Sequence, residues 1–489
     1  MVLPMLFWLW LLLLALWGLG YWPWLRNGLV RLQKRLLPKH PRLALWLGRM
    51  LQLGPSPLYL NPRLRYRDWL YLSLSLATLS MALYAWPPVH SRLAWRMEIA
   101  RTWLRMALDP VENTNPLAAR PTLAFVSPTA TASATPSPTP LPHTPTPTPQ
   151  ASPTPTLSPT PTPSPTPLPS RAQVPPMPRW TPQTVNNCGP ATLAFYLQWW
   201  GWKGTQDDIA RIVRPYLRDR NVNVEELVAY VNEHVPNLRA LFRVGGTLDV
   251  LKGFLAAGYP VMVETGMHLD RGYWPNDDRW AGHYLFVTGY DDNHEGGAFL
   301  VQDSYYGPDR WVPYDTFDED WKAFNRVFIV VYPPEHEPRI LPLLGPYRRF
   351  EDSRKIALEQ ARRETEHNPE DAFAWFNLGS NLVYFERWSE AAQAYDRAFA
   401  LGLPQRMLRY QFGPFFAYFH SWQLDKLQAI LDYALKITPE SEEAWVWKGW
   451  LYYRLGQPDK AVEAFRKALE INPNSRDARY GLQFLGQSP

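Results

Sequence analysis

The sequence predicts a multi-domain chain with N-terminal transmembrane helices, an α+β domain and an all-α repeat array. Three observations carry this prediction: uncharged apolar runs near the start, a proline-rich tract in the middle, and a repeated pattern near the end. At 489 residues the chain is also too long for a single hydrophobic core, which favours two or three domains.

Charge is unevenly distributed along the chain. Residues 1–120 hold 15 Lys and Arg against 4 Asp and Glu, whereas residues 177–489 carry a net charge of −7. The sequence pI near 9 therefore belongs to the N-terminal region. A basic nucleic-acid-binding surface on the globular part is not supported, and we expect no nucleic-acid partner.

The first predicted transmembrane helix lies in residues 1–24. Its core, "MLFWLWLLLLALWGLGYWPW" (5–24), has no charge over 20 positions, which suffices to cross about 30 Å of hydrocarbon. No basic residue precedes Arg26, and Trp22 and Trp24 close the run as an interfacial belt would. These features favour a retained span over a cleaved signal peptide.

A second uncharged run, residues 69–89, predicts a second transmembrane helix, with a buried or interfacial helix as the alternative. The loop between the runs, residues 25–68, carries ten Lys and Arg and one acid. The positive-inside rule assigns this loop to the cytoplasm and the globular domains to the outside. We therefore expect a multi-pass cell-membrane protein with extracytoplasmic domains. The alternative is the reversed topology, with the globular domains in the cytoplasm.

Two connecting segments follow the second run. Residues 90–120 contain apolar side chains at helical spacing between arginines, which predicts a juxtamembrane amphipathic helix on the membrane surface. Residues 121–176 hold 19 prolines alternating with Thr and Ser. Such a composition predicts a disordered, polyproline-like stalk without a core of its own.

The only cysteine of the chain, Cys188, stands in "TPQTVNNCGPATLAFYLQWWG" at the predicted start of a helix. A thiol in this position feels the positive end of the helix dipole, which favours the thiolate. Four helical segments here are followed by strand-like runs, which predicts an α+β domain. His283 begins one of these strands and Asp303 ends the next, so a hairpin would bring the two side chains together. A nucleophile, a base and an orienting carboxylate would then meet at one edge.

The motifs "PQTVNNCGPATLAF", "LAAGYPVMVE", "GHYLFVTGYDD" and "VQDSYYG" resemble the papain-like cysteine peptidases of the bacteriocin-processing, double-glycine type, and more closely the stand-alone relatives without a transporter. The resemblance covers residues 177–335. It implies Cys188 as nucleophile, His283 as general base and acid, Asp303 as orienting group and Gln183 as oxyanion-hole donor, without metal or cofactor. The chain contains no Gly-x-x-x-x-Gly-Lys-Ser/Thr loop of an ATPase, so a double-glycine leader substrate is not implied.

Other interpretations of these residues remain open at the level of sequence. A lone cysteine before a helix is often a small buried hydrophobe. His268, Asp270 and His283 could form a zinc site, although their spacing matches no metal-binding motif. Trp274 and Trp280 precede His283 and are candidates for lining a substrate cleft, with core packing as the alternative.

Prolines at 369, 404, 439 and 473 mark a period of 34–35 residues near the C-terminus. The segment "AWVWKGWLYYRLGQPDKAVEAFRKALEINP" resembles a tetratricopeptide repeat, and residues 350–489 are predicted to form a short array of such repeats. The middle copy departs from the pattern at "FGPFFAYFHSW". The array would either bind a peptide or protein partner or simply pack on the preceding domain.

The sequence as a whole predicts a membrane-anchored cysteine peptidase whose repeats bind a peptide or protein. Its substrate would be a peptide or protein, hydrolysed through a thioester acyl-enzyme. Two alternatives remain open: a catalytically inactive surface-displayed scaffold for protein–protein interaction, and acyl transfer by the same residues.

Overall fold

The computed structural model describes residues 87–111, 115–117, 167–176 and 179–488. The predicted membrane segments, the basic loop and most of the stalk lie outside these ranges. No helix within the described ranges is both long and apolar enough to cross a bilayer. Residues Trp95–Pro489 belong to one compact unit, and a second unit, Met1–Ala94, is described only where helix α1 begins. The following account therefore concerns the larger unit.

The first part of this unit contains a layer of helices and an antiparallel sheet. Its elements are α1 (Pro87–Leu108), β1 (Arg171–Gln173), α2 (Cys188–Trp199), α3 (Gln206–Val213), α4 (Val224–His234), β2 (Arg239–Arg243), α5 (Leu248–Ala256), β3 (Val261–His268), β4 (Trp280–Asp291), β5 (Ala298–Asp303), β6 (Gly307–Pro313), α6 (Tyr314–Lys322), β7 (Phe328–Tyr332) and α7 (Glu337–Leu343). Helices come first and most strands afterwards, as the sequence predicts for an α+β domain.

The four predicted helices begin and end close to the positions that the sequence indicates. Thr205 caps α3 in a capping box, in which the Asp208 carboxylate accepts a hydrogen bond from the Thr205 backbone N–H (2.9 Å). Asn223 caps α4 in the same way through Glu226 (2.7 Å). Gly201, at φ 87°, follows the end of α2 in the left-handed region that glycine adopts most easily.

The sheet has the strand order β2-β7-β3-β4-β5-β6, and β1 pairs with one end of β4. All pairs are antiparallel. The central strands β3, β4, β5 and β7 are almost entirely buried, whereas the edge strand β6 is mostly accessible to solvent. Helices α2 and α4 and the strands that they cover contribute to one large hydrophobic core.

Strand β1 lies within the segment that the sequence assigns to the stalk. Arg171 pairs with Asp291 and Gln173 with Gly289, so the compact domain already includes residues before 177. Val174 is buried in the second core, beside β4 and α5. Three residues suffice to pair with the end of β4 that extends beyond β3, and the surrounding prolines conceal such a short strand in the sequence.

The second part of the unit is entirely helical. It comprises α8 (Phe350–His367), α9 (Ala372–Tyr384), α10 (Trp388–Leu401), α11 (Met407–Tyr410), α12 (Gly413–His420), α13 (Leu424–Ile437), α14 (Glu442–Arg454), α15 (Pro458–Ile471) and α16 (Arg476–Phe484). Small residues allow the paired helices to pack closely: a Cβ atom on Gly379 would lie 2.7 Å from the Tyr395 ring, and one on Gly449 2.6 Å from Phe465. The middle copy, which departs from the repeat pattern, folds as the short helices α11 and α12, followed by α13.

The helical array is docked on the α+β domain through buried polar contacts. The Arg406 guanidinium makes two hydrogen bonds to the Asp277 carboxylate (2.7 and 2.6 Å), and both side chains are almost fully buried. Arg326 reaches Glu364 (2.7 Å). A buried, bidentate pair fixes orientation more strictly than a surface ion pair, so the array and the domain share one rigid interface.

Helix α1 also packs on this unit. Glu98 is buried and accepts a hydrogen bond from Arg220 (3.3 Å), and Met106 is buried beside Ile437. The juxtamembrane helix predicted to lie on the membrane surface thus has one face covered by protein. Its other face exposes Met97, Trp103, Leu104 and Leu108.

Candidate functional site

Cys188 is the first residue of α2, so its side chain stands at the helix N-terminus as the sequence predicts. The thiol is half-buried, while the following residues Gly189 to Leu197 are buried. The backbone N–H groups of a first helical turn have no partner within the helix, and they can stabilise negative charge. The position therefore suits a reactive thiolate and an adjacent oxyanion.

His283 and Asp303 lie on the neighbouring strands β4 and β5. Asp303 is paired with Leu285, two residues beyond His283, so the two side chains share one face of the sheet. His283 Nε2 lies 2.8 Å from Asp303 Oδ1, and both side chains are almost fully buried. The predicted proximity of His283 and Asp303 is therefore confirmed.

Asp303 is held by three further donors. Its Oδ1 accepts the backbone N–H groups of Tyr305 (2.8 Å) and Tyr306 (3.0 Å), and its Oδ2 accepts the Arg310 guanidinium (2.7 Å). Burial alone would raise the pKa of Asp303, but His283 and the two backbone N–H groups outweigh it and lower the pKa to about 2. Asp303 is consequently a carboxylate throughout the neutral range.

The imidazole of His283 lies between this carboxylate and the thiol. Burial lowers the pKa of His283, but the charge and hydrogen bond of Asp303, followed by the hydrogen bond and charge of Cys188, raise it to about 9. Because Nε2 is taken by Asp303, Nδ1 is the ring nitrogen left for Cys188. This raised pKa favours the imidazolium form of His283 at neutral pH.

Gln183 lies on the segment that leads into α2. Its backbone N–H donates to the Ser304 carbonyl (2.9 Å), and its side-chain Oε1 accepts the Ser304 hydroxyl (2.8 Å). Ser304 directly follows Asp303, so this contact ties Gln183 to the end of β5. Anchoring through Oε1 leaves the amide N–H₂ group as the donor end of the side chain, as an oxyanion hole requires.

Arg214 was not identified from the sequence. Its guanidinium is buried and donates to the carbonyls of Asp219 (2.9 Å) and Val185 (3.2 Å) and to Asn187 Oδ1 (3.3 Å). Burial lowers the pKa of Arg214, while attraction to Asp219 and to Cys188 opposes that shift. Arg214 thus places a buried positive charge near the thiol and holds the turn that precedes it.

Gln206 fixes the same turn from the start of α3. Its Oε1 accepts the Thr184 backbone N–H (2.8 Å) and the Asn187 side-chain amide (3.0 Å). In the sequence, Asn187 resembles an ordinary turn residue and Gln206 an ordinary residue at the start of a helix. Only their spatial convergence reveals that they support the nucleophile.

Glu264 is a buried carboxyl group close to the thiol and was also missed. It lies on β3 opposite Tyr284 on β4, whose hydroxyl donates to the Val222 carbonyl (3.0 Å). Burial, followed by the negative charge of Cys188, raises its pKa well above the usual value. An isolated acid within a strand of apolar residues was the available signal, because such a side chain rarely lies in a core without a reason.

Trp274 and Trp280, the candidate cleft residues, are buried between the domain and the array. The Trp274 ring lies under the Arg406 guanidinium, whose carbon is 4.1 Å from the ring centroid, and Nε1 donates to Gln405 (2.9 Å). Trp280 stacks on Phe324 with centroids 5.9 Å apart. These contacts correct the cleft interpretation: both rings are explained by packing, because the array covers the surface that precedes His283.

Within the described ranges, no group of three or more His, Cys, Asp or Glu side chains has the arrangement of a metal site. His268 is exposed at the end of β3, whereas His283 is buried beside Asp303. The zinc hypothesis therefore gains no support from the geometry.

Comparison with known families matches two parts of the chain. Residues 171–329 match the Peptidase C39-like family, and residues 442–475 match a tetratricopeptide repeat. The first match includes β1 and all four of the residues predicted to carry the chemistry. The recognition made from the sequence motifs is thereby confirmed.

Among solved structures, a candidate C39-like peptidase from Bacillus anthracis is similar, with 18% identity over 33% of this chain and 97% of that chain, at a TM-score of 0.27. A thermophilic tetratricopeptide protein from Thermus thermophilus shares 21% identity over 27% of this chain and 73% of that chain, at a TM-score of 0.24. Among curated proteins, the Homo sapiens Protein O-mannosyl-transferase TMTC3 is 26% identical over 143 residues, 26% of this chain. The match spans 16% of that relative's length.

Proposed function

Because residues 171–329 form a domain of the C39-like peptidase family, we propose that this chain is a cysteine peptidase that cleaves peptide bonds through Cys188, His283 and Asp303. The observation that carries the proposal is the buried His283, whose Nε2 lies 2.8 Å from Asp303 Oδ1 and whose pKa is raised by Asp303 and, to a smaller extent, by Cys188. A histidine that only filled the core would need no charged partner on either side.

In the proposed reaction, the Cys188 thiolate attacks the carbonyl carbon of the scissile peptide bond. A C–S bond forms, and the carbonyl electron pair moves to oxygen, where the Cys188 backbone N–H and the Gln183 amide donate hydrogen bonds. The His283 imidazolium then gives its proton to the leaving nitrogen as the C–N bond breaks. This leaves a thioester and a neutral imidazole.

Water completes the proposed cycle. Neutral His283 takes a proton from the attacking water, the C–O bond forms, and the C–S bond of the tetrahedral intermediate breaks. The products are a carboxylic acid and the thiolate, with the proton back on His283. Asp303 stabilises the imidazolium whenever it forms and needs no proton change of its own, because its pKa is about 2.

The proposal includes attachment to a membrane by residues 1–24 and 69–89, with the peptidase domain and the array outside the cell. The exposed apolar residues Met97 and Trp103 on α1, which begins at Pro87 within the last residues of the second run, support a location at the bilayer surface. Protease accessibility of the stalk in intact cells tests this topology. Cleavage only after cell lysis would support the reversed orientation instead.

Alkylation of the full-length chain by iodoacetamide tests the peptidase proposal, because the only cysteine is Cys188 and all incorporated label reports on it. We expect the rate to stay high well below about pH 8.5, the ordinary range of a free thiol, and to fall at neutral pH in His283→Ala. His294→Ala, in the turn between β4 and β5, is the matched control and should alkylate as the wild type does.

An identical pH profile in wild type and His283→Ala would overturn the peptidase proposal and favour the inactive scaffold. Hydrolysis and acyl transfer are separated by product analysis after an acyl-enzyme has formed. Adding a primary amine, such as glycine amide, should leave the carboxylic acid as the main product of a hydrolase. A new amide would instead identify a transferase.

A further inference from the structure

The concave side of the helical array faces α4 of the peptidase domain and encloses a cavity of about 740 Å³. The first helices of successive pairs form one wall, with Tyr384 on α9, Phe416 on α12 and Trp447 on α14. Helix α4 forms the opposite wall through Glu225 and Tyr230. The volume lies within the range of about 300–1,000 Å³ that is typical of ligand sites.

The walls of this cavity, which we call the array channel, contain far more carboxyl groups than basic groups. Seven carboxyl groups line it against two guanidinium groups. One of the two arginines, Arg476, already forms an ion pair with Glu233 (3.0 Å). Acidic residues come from both sides, with Glu225 on α4 and Asp477 at the start of α16, so the charge belongs to the channel as a whole.

Several of these carboxyl groups are buried next to one another. Glu443 accepts hydrogen bonds from the Asn223 (2.9 Å) and Asn221 (3.2 Å) side chains, which are neutral donors and leave its charge uncompensated. Burial, followed by repulsion from Glu443, raises the pKa of Glu226 and Glu442, the latter to about 7. A cation entering the channel would relieve both the burial penalty and this repulsion.

One end of the channel lies near the start of α2. Glu264 forms part of the channel lining and is paired across the sheet with Tyr284, whose ring packs against Gly189, the residue after Cys188, so closely that a Cβ atom there would lie 3.3 Å from it. Arg354, which also lines the channel, contacts the rings of Phe350 and Tyr384 with its guanidinium carbon 5.2 and 5.3 Å from their centroids. The inner face of the array and the helix start that carries Cys188 are thus separated only by Glu264 and Tyr284.

We infer that the array channel binds a lysine- or arginine-rich stretch of the polypeptide substrate and presents the adjoining peptide bond to Cys188. The inference rests on the proposed function and adds the substrate class. A polypeptide fits the lining better than a small polycation does, because Tyr230, Phe416 and Trp447 alternate with the carboxyl groups. Such rings pack on the aliphatic stems of basic side chains while the carboxylates take the charge.

Binding of fluorescein-labelled hexalysine to full-length Cys188→Ser in detergent tests the inference through fluorescence anisotropy. The channel variant carries Glu225→Gln, Glu233→Gln and Asp477→Asn, all at exposed positions, so that folding is not at risk. A matched control carries Glu390→Gln, Glu463→Gln and Glu470→Gln on exposed positions of α10 and α15. We expect the channel variant to raise the Kd about tenfold and the control to change it less than about twofold, in line with the modest strength of single exposed charge pairs.

Equal Kd values for the channel variant and the matched control would overturn the inference. Displacement of hexalysine by spermidine at concentrations below the hexalysine Kd would also overturn it, because the channel would then be a polyamine site. In the chain with Cys188 intact, saturating hexalysine should slow alkylation at least about threefold. No protection would break the link between the channel and the thiol.

The two proposals fail in different ways. An inert thiol in the alkylation experiment removes the peptidase function whatever hexalysine does. A reactive thiol together with charge-independent hexalysine binding removes only the substrate class and leaves the peptidase proposal standing.

Discussion

Asp303 in the proposed catalytic site and Glu442 in the array channel are both buried carboxyl groups, yet their pKa values are shifted in opposite directions. The pKa of Asp303 is lowered to about 2, whereas that of Glu442 is raised to about 7. Burial raises both pKa values, so the neighbours account for the difference. Asp303 is surrounded by His283, Arg310 and two backbone N–H groups, whereas Glu442 lies beside Glu443 and accepts hydrogen bonds from the neutral side chains of Asn472 (3.1 Å) and Ser475.

This difference between the two carboxyl groups indicates which region already contains its compensating charge and which one lacks it. The catalytic site supplies the compensating charge from within the chain, so its ionised state exists before a substrate arrives. The channel lacks such compensation at Glu442 and Glu443, and a cationic ligand would supply it. A preorganised centre and an uncompensated binding surface are thus distinguished by the partners of their carboxyl groups rather than by burial.

The largest expected effect comes from removing the charge of Asp303. In Asp303→Asn, His283 loses the strongest of the interactions that raise its pKa to about 9, so the imidazolium should be lost at neutral pH. We expect alkylation of Cys188 at about pH 6–7 to slow by about 10²-fold, the lower end of the usual contribution of acid–base groups. Asp315→Asn, exposed at the start of α6, is the control.

An Asp303→Asn chain that alkylates at the wild-type rate would break the comparison, since the ionisation of His283 would then not depend on its buried partner. Near-ultraviolet circular dichroism of the same sample separates a lost charge from a lost fold.

A smaller effect is expected at Arg214, the second buried cation near the thiol. Arg214→Lys keeps a positive charge but cannot reach the Val185, Asn187, Leu217 and Asp219 acceptors together, whereas Arg214→Gln also removes the charge. If charge matters, alkylation at about pH 6 should fall about threefold in Arg214→Lys and about tenfold in Arg214→Gln. Equal losses in both variants would assign Arg214 to positioning of the turn alone.

The proximity of His283 and Asp303 could be predicted from the sequence because it follows from local patterns. His283 lies near the start of β4, which begins at Trp280, and Asp303 is the last residue of β5, which a hairpin joins to β4. Chain connectivity alone brings such residues together. The mostly exposed edge strand β6 was missed, since "GPDRWVP" offers two prolines and no regular alternation.

Arg214, Glu264 and the array channel could not be predicted in the same way. An arginine at a helix end is normally solvated, and Arg214 is buried only because the loop up to Asp219 folds over it. The channel depends on how two domains meet, as in the contact of Arg406 with Asp277, which lie more than a hundred positions apart. Local periodicity contains no information on such long-range contacts.

The smallest expected effect concerns the free energy of unfolding. Its pH dependence should differ between the proposed catalytic site and the array channel. Asp303 contributes stability that is present above its unfolded pKa of about 3.8 and lost as the pH falls through about 2. His283 contributes stability that is present below its unfolded pKa of about 6.5 and lost as the pH rises through about 9. Between about pH 4.5 and 6.5 neither group of the catalytic site should change the free energy of unfolding.

Glu442 is expected to change the free energy of unfolding between about pH 4.5 and 6.5. Its folded pKa of about 7 lies above the unfolded value of 4.5, so the folded state binds the extra proton and stability should fall as the pH rises between them. One such proton gives a slope of at most about 1.4 kcal/mol per pH unit, and sharing with Glu443 should reduce it. We expect Glu442→Gln to reduce the slope of the urea-derived free energy of unfolding between about pH 4.5 and 6.5, with the remainder coming from other raised carboxyl groups such as Glu226 and Glu264, while Glu463→Gln leaves it unchanged. A slope equal to that of the wild type in Glu442→Gln would mean that Glu442 binds no extra proton in the folded state, and the contrast with Asp303 would then fail.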